Sequence, residues 1–183
     1  MYLKPLHIIL IGVVIAIVAI FAVSMVDNEP KKTSSGFPAP PVEGLDPLGR
    51  KIELQQFEGN LVILNFWASW SGPSREAHDQ LESIYREYAG LDYPKADSLI
   101  VMMFSLDDMP ELWHKAIEKD SISWAVHLSD FNAWESVVSQ VFSLQTIPSN
   151  VLIGPNGLVI GQDLSPDEIR EALDRQLGTA QAD

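Results

Sequence analysis

Residues 61–66 form an almost uninterrupted apolar run that leads directly into a short loop and a helix signal at Pro73. A strand that is apolar on both faces is typical of a central strand in an α/β sheet, where helices cover both sides. Proline is favoured in the first turn of a helix because the N–H that it lacks would have no partner there. The sequence therefore predicts an α/β layer structure with the loop of residues 67–72 at a strand-to-helix junction.

Helical and strand patterns alternate along the rest of the chain. After the first strand we predict, in chain order, a helix over residues 73–91, a strand over 99–106, a helix from Asp108 with a capping box to Glu111, a strand over 124–128 and a helix from Asn132. The apolar residues of the helices that begin at Asp108 and Asn132 include Leu112, Trp134, Val137 and Val141. A hairpin follows around Asn156-Gly157, and a final helix begins at Ser165 with a capping box. One domain over residues 37–183 accommodates all of these elements.

The N-terminal end contains an uncharged apolar stretch over residues 8–26. A helix of about 20 such residues crosses a hydrocarbon core, so we expect residues 1–26 to be a membrane anchor. Lys4 and the α-amino group precede the stretch, which predicts a cytoplasmic N-terminus and an exported domain. A cleaved signal peptide with Ala22-Val23-Ser24 as its cleavage site is the alternative, although the stretch exceeds the usual core of ~7–15 residues.

Residues 27–36 are polar and predict a flexible linker between the anchor and the domain. After residue 36, Asp and Glu outnumber Lys and Arg by 23 to 9, counted on the sequence. The absence of a basic stripe argues against nucleic-acid binding. We interpret the acidity as a solvated surface that keeps the domain soluble, and an acidic docking site is the alternative.

The loop after the central strand reads Trp-Ala-Ser-Trp-Ser-Gly-Pro-Ser over residues 67–74, and the sequence contains no cysteine. Thr146-Ile147-Pro148 stands just before the predicted hairpin. On these motifs the chain resembles the membrane-anchored thioredoxin-like disulfide reductases of the TlpA/ResA type, over residues 37–177. Those proteins have Trp-Ala-Ser-Trp-Cys-x-Pro-Cys in this loop. The resemblance implies a thioredoxin fold, with a central mixed β-sheet flanked by helices, and a cis bond before Pro148.

Ser71 and Ser74 occupy the two positions at which the reductases have cysteine. In the reductases one thiolate attacks a substrate disulfide and the second thiol resolves the mixed disulfide. A serine hydroxyl ionises far above neutral pH and forms no reversible bond to sulfur. The residues at the motif's catalytic positions, Ser71 and Ser74, are therefore predicted to be redox-inactive, with Ser71 capping the helix.

The neighbourhood of the serines also departs from the reductase pattern. Family members often have a proton-shuttling glutamate three residues after the second cysteine and a proline two residues further, where this chain has Ala77 and Asp79. Glu76 is turned by about 100° from that position on a helix and does not replace the glutamate. These changes favour a naturally degenerate site. The alternative is an active thiol-disulfide oxidoreductase represented by a Cys-to-Ser variant.

Binding does not require sulfur. By resemblance, Trp70, Ile147 and Pro148 border a surface on which an extended peptide pairs with the backbone. The alternative is that these residues are retained only for packing and for the turn. We expect a periplasmic domain on a single-pass anchor in a bacterial cytoplasmic membrane, with a peptide or protein partner.

Other chemistries fit the residues poorly. We expect neither a metal nor another cofactor, because the chain has no cysteine and its histidines lack the spacing of ligands on one helix face. Ser71 lacks the Gly-x-Ser-x-Gly surroundings of a hydrolase nucleophile.

Overall fold

The computed structural model of the chain describes residues 36–178. The predicted membrane anchor and all but the last residue of the predicted linker lie outside the described residues, so both stay predictions. Within residues 36–178, no helix combines the length and the apolar character needed to cross a bilayer.

A mixed sheet of seven strands forms the centre of the described part of the chain, in the order β2-β1-β5-β4-β3-β6-β7. Its strands are β1 (Glu43–Leu45), β2 (Lys51–Glu53), β3 (Leu61–Trp67), β4 (Leu99–Ser105), β5 (Val126–Ser129), β6 (Ser149–Ile153) and β7 (Val159–Gln162). Strands β3, β4 and β5 run parallel to one another, whereas β6 pairs with β3 in the antiparallel direction. The predicted mixed sheet is confirmed.

Helices cover both faces of the sheet. They are α1 (Gly72–Glu76), α2 (His78–Tyr88), α3 (Pro110–Lys119), α4 (Val137–Val141) and α5 (Pro166–Leu177), with short 3₁₀ helices at Leu54–Phe57 and Ala133–Glu135. Every residue of β3 is buried. Because successive side chains of a strand point to opposite faces, Phe66 and Trp67 belong to two different apolar clusters. The Trp67 cluster includes residues of α2, α3 and α5, and the Phe66 cluster includes Val138 of α4.

The helix predicted over residues 73–91 differs in two respects. It is divided at Ala77, whose backbone has a ψ of −13° and forms a tighter turn between α1 and α2. It also ends at Tyr88, so Leu91 lies beyond it and is exposed. The sequence signal for this earlier helix end is the Ala89-Gly90 pair, because glycine is unfavourable in a helix interior.

The predicted capping box at Asp108 and Glu111 is wrong. Helix α3 begins at Pro110 after Met109, and no side chain caps it. Proline has the backbone φ of a first helical turn, and the N–H that it lacks would have no partner within the helix. The shifted start leaves Leu112 exposed on the outer side of the helix, while Trp113 is fully buried.

The single helix predicted from Asn132 is also wrong. Ser136 interrupts it with extended backbone, and its hydroxyl accepts a hydrogen bond from the N–H of Val138 at 3.1 Å, so that α4 starts anew. The apolar residues of this segment consequently divide. Val138 is buried, whereas three others are exposed: Trp134, Val137 and Val141.

The C-terminal elements agree with their sequence signals. Strands β6 and β7 form the predicted hairpin, with a register shift next to Leu152 and Ile153. The Ser165 capping box to Glu168 is present, and helix α5 ends at Gly178 with a φ of 76° that favours glycine.

Candidate functional site

The loop between β3 and α1 holds the two serines of the motif. Ser71 precedes the first turn of α1, and its Oγ accepts a hydrogen bond from the backbone N–H of Ser74 at 3.3 Å. The Ser74 hydroxyl also donates to Ser71 Oγ, at 2.9 Å. Ser71 is 7% and Ser74 1% exposed. The expected capping role of Ser71 is confirmed, and the buried Ser71 Oγ accepts from both the N–H and the hydroxyl of Ser74.

A buried carboxylate fixes the start of this loop. Asp107, at the end of β4, accepts hydrogen bonds from the Ser69 N–H at 2.9 Å, the Ser69 hydroxyl at 2.6 Å and the Ser105 hydroxyl at 2.5 Å. A buried charge is tolerated when hydrogen bonds compensate its lost hydration. Asp107 thereby ties the carboxyl end of β3 to that of β4.

Two buried histidines lie around Trp67. The His78 ring contacts the Trp67 indole edge to face, with ring centroids 4.9 Å apart, and the His127 ring lies 6.4 Å from the same indole. His127 Nε2 is 2.7 Å from the carbonyl oxygen of Ile122. Burial lowers the pKa of His127 to about 4 and also lowers the pKa of His78. Both rings are therefore neutral at neutral pH.

Arg75, the residue directly after the motif, forms an ion pair with Asp120. Arg75 Nε donates to Asp120 Oδ2 at 2.7 Å, and Arg75 Nη2 donates to the other carboxylate oxygen. These hydrogen bonds lower the pKa of Asp120. Asp120 Oδ2 is 3.5 Å from His78 Nδ1. The ion pair ties α1 to the residue that follows α3.

This geometry does not activate a serine nucleophile. Within residues 36–178, Ser71 Oγ has hydrogen bonds only with Ser74, and neither His78 nor His127 contacts it. Deprotonation of a serine hydroxyl requires a base within hydrogen-bond reach. The described residues also contain no cluster of three or more Asp, Glu or His side chains arranged to hold a metal ion.

The bond between Ile147 and Pro148 is cis, as the resemblance implies. Ser149 is paired with Phe66, which places Ile147 and Pro148 at the sheet edge where β3 ends. The Ile147 side chain is half-buried and packs against the Phe66 cluster. The backbone N–H and C=O groups of Thr146 and Ile147 form no hydrogen bond with any group in residues 36–178. A pair of unpaired peptide groups therefore stands beside the motif.

Trp70, the residue before Ser71, is 55% exposed. It lies in the loop after β3, and Ile147 lies just before the neighbouring strand β6. The fold thus brings Trp70, Ser71, Ser74, Ile147 and Pro148, all predicted from the sequence, to one sheet edge. The two serines are buried and the tryptophan is exposed.

Sequence reasoning missed three features of this site. It gave Asp107 no role, although the neighbouring parallel strands and the hydroxyl of Ser69 were signals for a contact. It did not place His78 and His127 around Trp67, because that contact depends on the tertiary fold. It also missed the exposure of Trp134 and Val137.

Comparison with known proteins assigns the chain to a family. The sequence profile of thioredoxin-like proteins matches residues 59–159, more than half of the chain. The thiol-disulfide oxidoreductase ResA of Bacillus cereus is 23% identical over 150 residues, which are 82% of this chain and 80% of that protein. ResA of Bacillus subtilis is 23% identical over 127 residues, which are 69% of this chain and 65% of that protein.

Two solved structures of thiol-disulfide oxidoreductases are also similar to this chain. A thiol-disulfide oxidoreductase from Bacteroides fragilis superposes with a TM-score of 0.67 and 29% identity, over 76% of this chain and 98% of its own. The thioredoxin domain of a thiol-disulfide oxidoreductase from Bacteroides vulgatus superposes with a TM-score of 0.69 over 79% of this chain and 98% of its own. At 22% identity the latter supports the fold alone.

Proposed function

This chain belongs to the thioredoxin-like family, and we propose that it is a member without redox activity that binds an extended segment of a peptide or protein. We further propose that residues 8–26 tether it to a bacterial cytoplasmic membrane, with the domain on the outer side. The observation that carries the proposal is the pair Ser71 and Ser74 in an otherwise retained motif, in a chain that has no cysteine.

The chemistry of the loop supports the loss of redox activity. Disulfide exchange proceeds by attack of a thiolate and through a mixed disulfide. Ser71 and Ser74 offer two hydroxyls that are hydrogen-bonded to each other and buried. Ala77 stands where the reductases often have the proton-shuttling glutamate. The loop therefore lacks the nucleophile, the resolving group and the proton carrier.

The unpaired backbone at Thr146 and Ile147 supports binding. Thr146 is exposed and Ile147 is half-buried. Peptide groups that are at least half-buried nearly always have a hydrogen-bond partner in native proteins, so the unpaired groups of Ile147 can accept a ligand or water, and those of Thr146 extend the same edge into solvent. An extended peptide supplies N–H and C=O groups at the spacing of a strand. Trp70 offers an exposed aromatic surface at the same edge, of the kind enriched at binding interfaces.

A second candidate function is thiol-disulfide oxidoreductase activity in a natural protein with cysteine at positions 71 and 74. The retained loop and the cis bond before Pro148 favour it, since both are the surroundings in which a thiol would work. The codons for residues 71 and 74 in the source genome distinguish the two candidates. Serine codons support the binding module, and cysteine codons support the enzyme.

Selection and nuclear magnetic resonance together test the binding function. The full chain in phosphatidylcholine nanodiscs is used to select peptides of about ten residues from a random phage library, against empty nanodiscs. The selected peptide is then titrated into the ¹⁵N-labelled chain. We expect the amide resonances of Thr146 and Ile147 to shift, because a bound strand hydrogen-bonds there. Shifts confined to other regions, or no selected peptide, would overturn the proposal.

Matched variants sharpen this test. Trp70→Ala removes an exposed apolar side chain at the proposed surface, and Leu48→Ala removes one that is 75% exposed in the turn between β1 and β2. We expect the Trp70 variant to lose about ten-fold or more in affinity for the selected peptide, and the Leu48 variant to retain it. An equal loss in both variants would contradict a site at this edge.

A further inference from the structure

Exposed apolar side chains line the sheet edge on which the motif lies. We call this set the apolar rim, and its members are Trp70, Met109, Leu112, Trp134, Val137 and Val141. Each stands on a loop that follows one of the parallel strands β3, β4 and β5, or on the helix that the loop leads into. The carboxyl ends of parallel strands meet at one edge of a sheet, so the segments that carry the rim begin at the same edge as Ile147.

The sheet order gives this surface its length. Strands β5, β4, β3 and β6 are consecutive neighbours, and the segments that carry Trp134, Met109, Trp70 and Ile147 adjoin their ends in that order. Adjacent strands are about 4.8 Å apart, so the four strand ends extend over about 14 Å. An extended peptide of about four residues, at roughly 3.3 Å per residue, covers the same distance.

Hydrogen bonds and ring contacts fix the loops of the rim to one another. Ser69 is bonded to Asp107, and the hydroxyl of Ser129 donates to the Ser105 carbonyl oxygen at 2.9 Å. The Phe131 ring contacts the Trp113 indole in α3 with centroids 5.5 Å apart. The surface is therefore positioned before a partner arrives, which reduces the entropy lost on binding.

The charge of the rim is mainly negative. The loop segments 68–74, 106–112 and 130–148 contain no Lys or Arg, and their exposed acids are Asp108, Glu111 and Glu135. Within residues 36–178, no Lys or Arg forms an ion pair with these three acids. Three cations lie near these segments. Arg75 is paired with Asp120, Lys51 shares a cavity with Val137 but is paired with Glu43 and Glu53, and Lys115 is exposed one helical turn after Glu111. The three acids outnumber Lys115, so the potential over the apolar rim is negative overall and favours a cationic partner.

We propose that the occupant of this surface is an extended peptide segment in which apolar side chains alternate with Lys or Arg. This inference rests on the proposed binding function and names the class of its partner. The backbone of the segment pairs with Thr146 and Ile147, and its apolar side chains cover the rim. Side chains of an extended segment alternate in direction, so the intervening Lys or Arg side chains start on the side away from the rim, and their long flexible stems bend back to the acids beside it.

Three labelled peptides of about nine residues test the inference. Their binding to the full chain in phosphatidylcholine nanodiscs is measured by fluorescence anisotropy. Empty nanodiscs serve as the blank. One alternates Lys with Leu, one alternates Glu with Leu, and one alternates Lys with Ser. We expect the Lys–Leu peptide to bind about ten-fold or more tightly than either other peptide at about 20 mM sodium chloride. Its advantage over the Glu–Leu peptide shrinks at about 300 mM, because salt screens exposed charges.

A matched pair of triple variants separates local from overall charge. The rim variant carries Asp108→Asn, Glu111→Gln and Glu135→Gln. The control variant carries Glu58→Gln, Asp92→Asn and Glu171→Gln, which remove three exposed acids outside the rim segments. We expect the rim variant to bind the Lys–Leu peptide about ten-fold more weakly and the control to stay within about two-fold of the parent.

The outcomes distinguish this inference from the function on which it rests. Equal affinity for the Lys–Leu and Glu–Leu peptides would overturn the inference and leave the binding function in place. Equal weakening in both triple variants would also overturn it, because overall charge would then explain the preference. Failure of every peptide, including one selected from the random library, would overturn both.

Discussion

Ser74 donates its hydroxyl hydrogen to Ser71 Oγ at 2.9 Å, so the two residues at the motif's cysteine positions are hydrogen-bonded to each other inside the protein. Ser71 also caps the backbone of the helix that follows. Both serine oxygens therefore take part in hydrogen bonds within this loop. The thioredoxin-like loop accommodates oxygen at both of these positions.

The Ser71 cap makes a measurable contribution to stability. Ser71→Ala removes the acceptor of the Ser74 N–H and leaves the buried Ser74 hydroxyl without its partner. We expect the free energy of unfolding to fall by about 1 to 2 kcal/mol, measured by chemical denaturation. Ser123→Ala, at an exposed serine, is the control and should change the free energy by less than about 0.5 kcal/mol. Equal values for the two variants would contradict the role of the cap.

Asp107 holds the motif loop against the end of β4. Asp107→Asn replaces an oxygen that accepts hydrogen bonds with an NH₂ group that faces donors, so we expect a loss of about 2 kcal/mol in the free energy of unfolding. The amide of Ser69 should also exchange its hydrogen faster. Asp108→Asn, at the exposed neighbouring residue, is the matched control. Slow exchange at Ser69 in the Asp107 variant would argue that another contact fixes the loop.

Burial of His127 predicts a loss of stability in acid. Because the pKa of His127 is lowered from 6.5 to about 4, the unfolded chain binds a proton in this pH range that the folded chain does not. The free energy of unfolding should therefore fall by about 3 kcal/mol between pH 6.5 and 4, and the lowered pKa of His78 acts in the same direction.

Denaturation curves across this pH range check the effect. The lowered pKa values of Asp120 and Asp46 add a loss centred below pH 3.8, so most of the His127 contribution appears at higher pH. His127→Gln should flatten the dependence above pH 4, whereas Ser123→Ala, at an exposed serine, should leave it unchanged. A His127 variant with the parent's pH dependence would show that this ring is not the group responsible.

Residues 8–26 are expected to stay in the protein as a membrane anchor. The full chain should resist extraction from membranes at alkaline pH, and an alkaline phosphatase fused after residue 183 should be active, since that enzyme folds only outside the cytoplasm. The mass of the purified protein provides the control. A soluble periplasmic form with a mass that starts after Ser24 would establish the cleaved signal peptide instead.

Local signals predicted a large part of the fold. The apolar run of β3, the first-turn proline at position 73 and the capping box at Ser165 each depend on residues close together in the sequence. Such signals fix the existence and order of elements. They misplaced the start of α3 and missed the break at Ser136. At each of these positions two local signals competed, and the packing of Trp113 and of Val138 decided between them.

The site was predictable only in part. The motif identified Trp70, Ser71 and Ser74, and the spacing of Ile147-Pro148 identified the facing loop. The contact between Asp107 and Ser69 depends on the register of two parallel strands. The unpaired backbone at Ile147 and the acidic apolar rim depend on how four loops meet, which no local pattern encodes.

Insulin reduction in the presence of dithiothreitol is the most direct test of the central claim. The full chain with serine at positions 71 and 74 is compared with the Ser71→Cys/Ser74→Cys variant and with a blank. We predict that the serine form accelerates insulin reduction no more than the blank, because it offers no thiolate, while the double cysteine variant is faster. Catalysis above the blank by the serine form, purified free of other oxidoreductases, would contradict the claim that this thioredoxin-like protein has lost its redox chemistry.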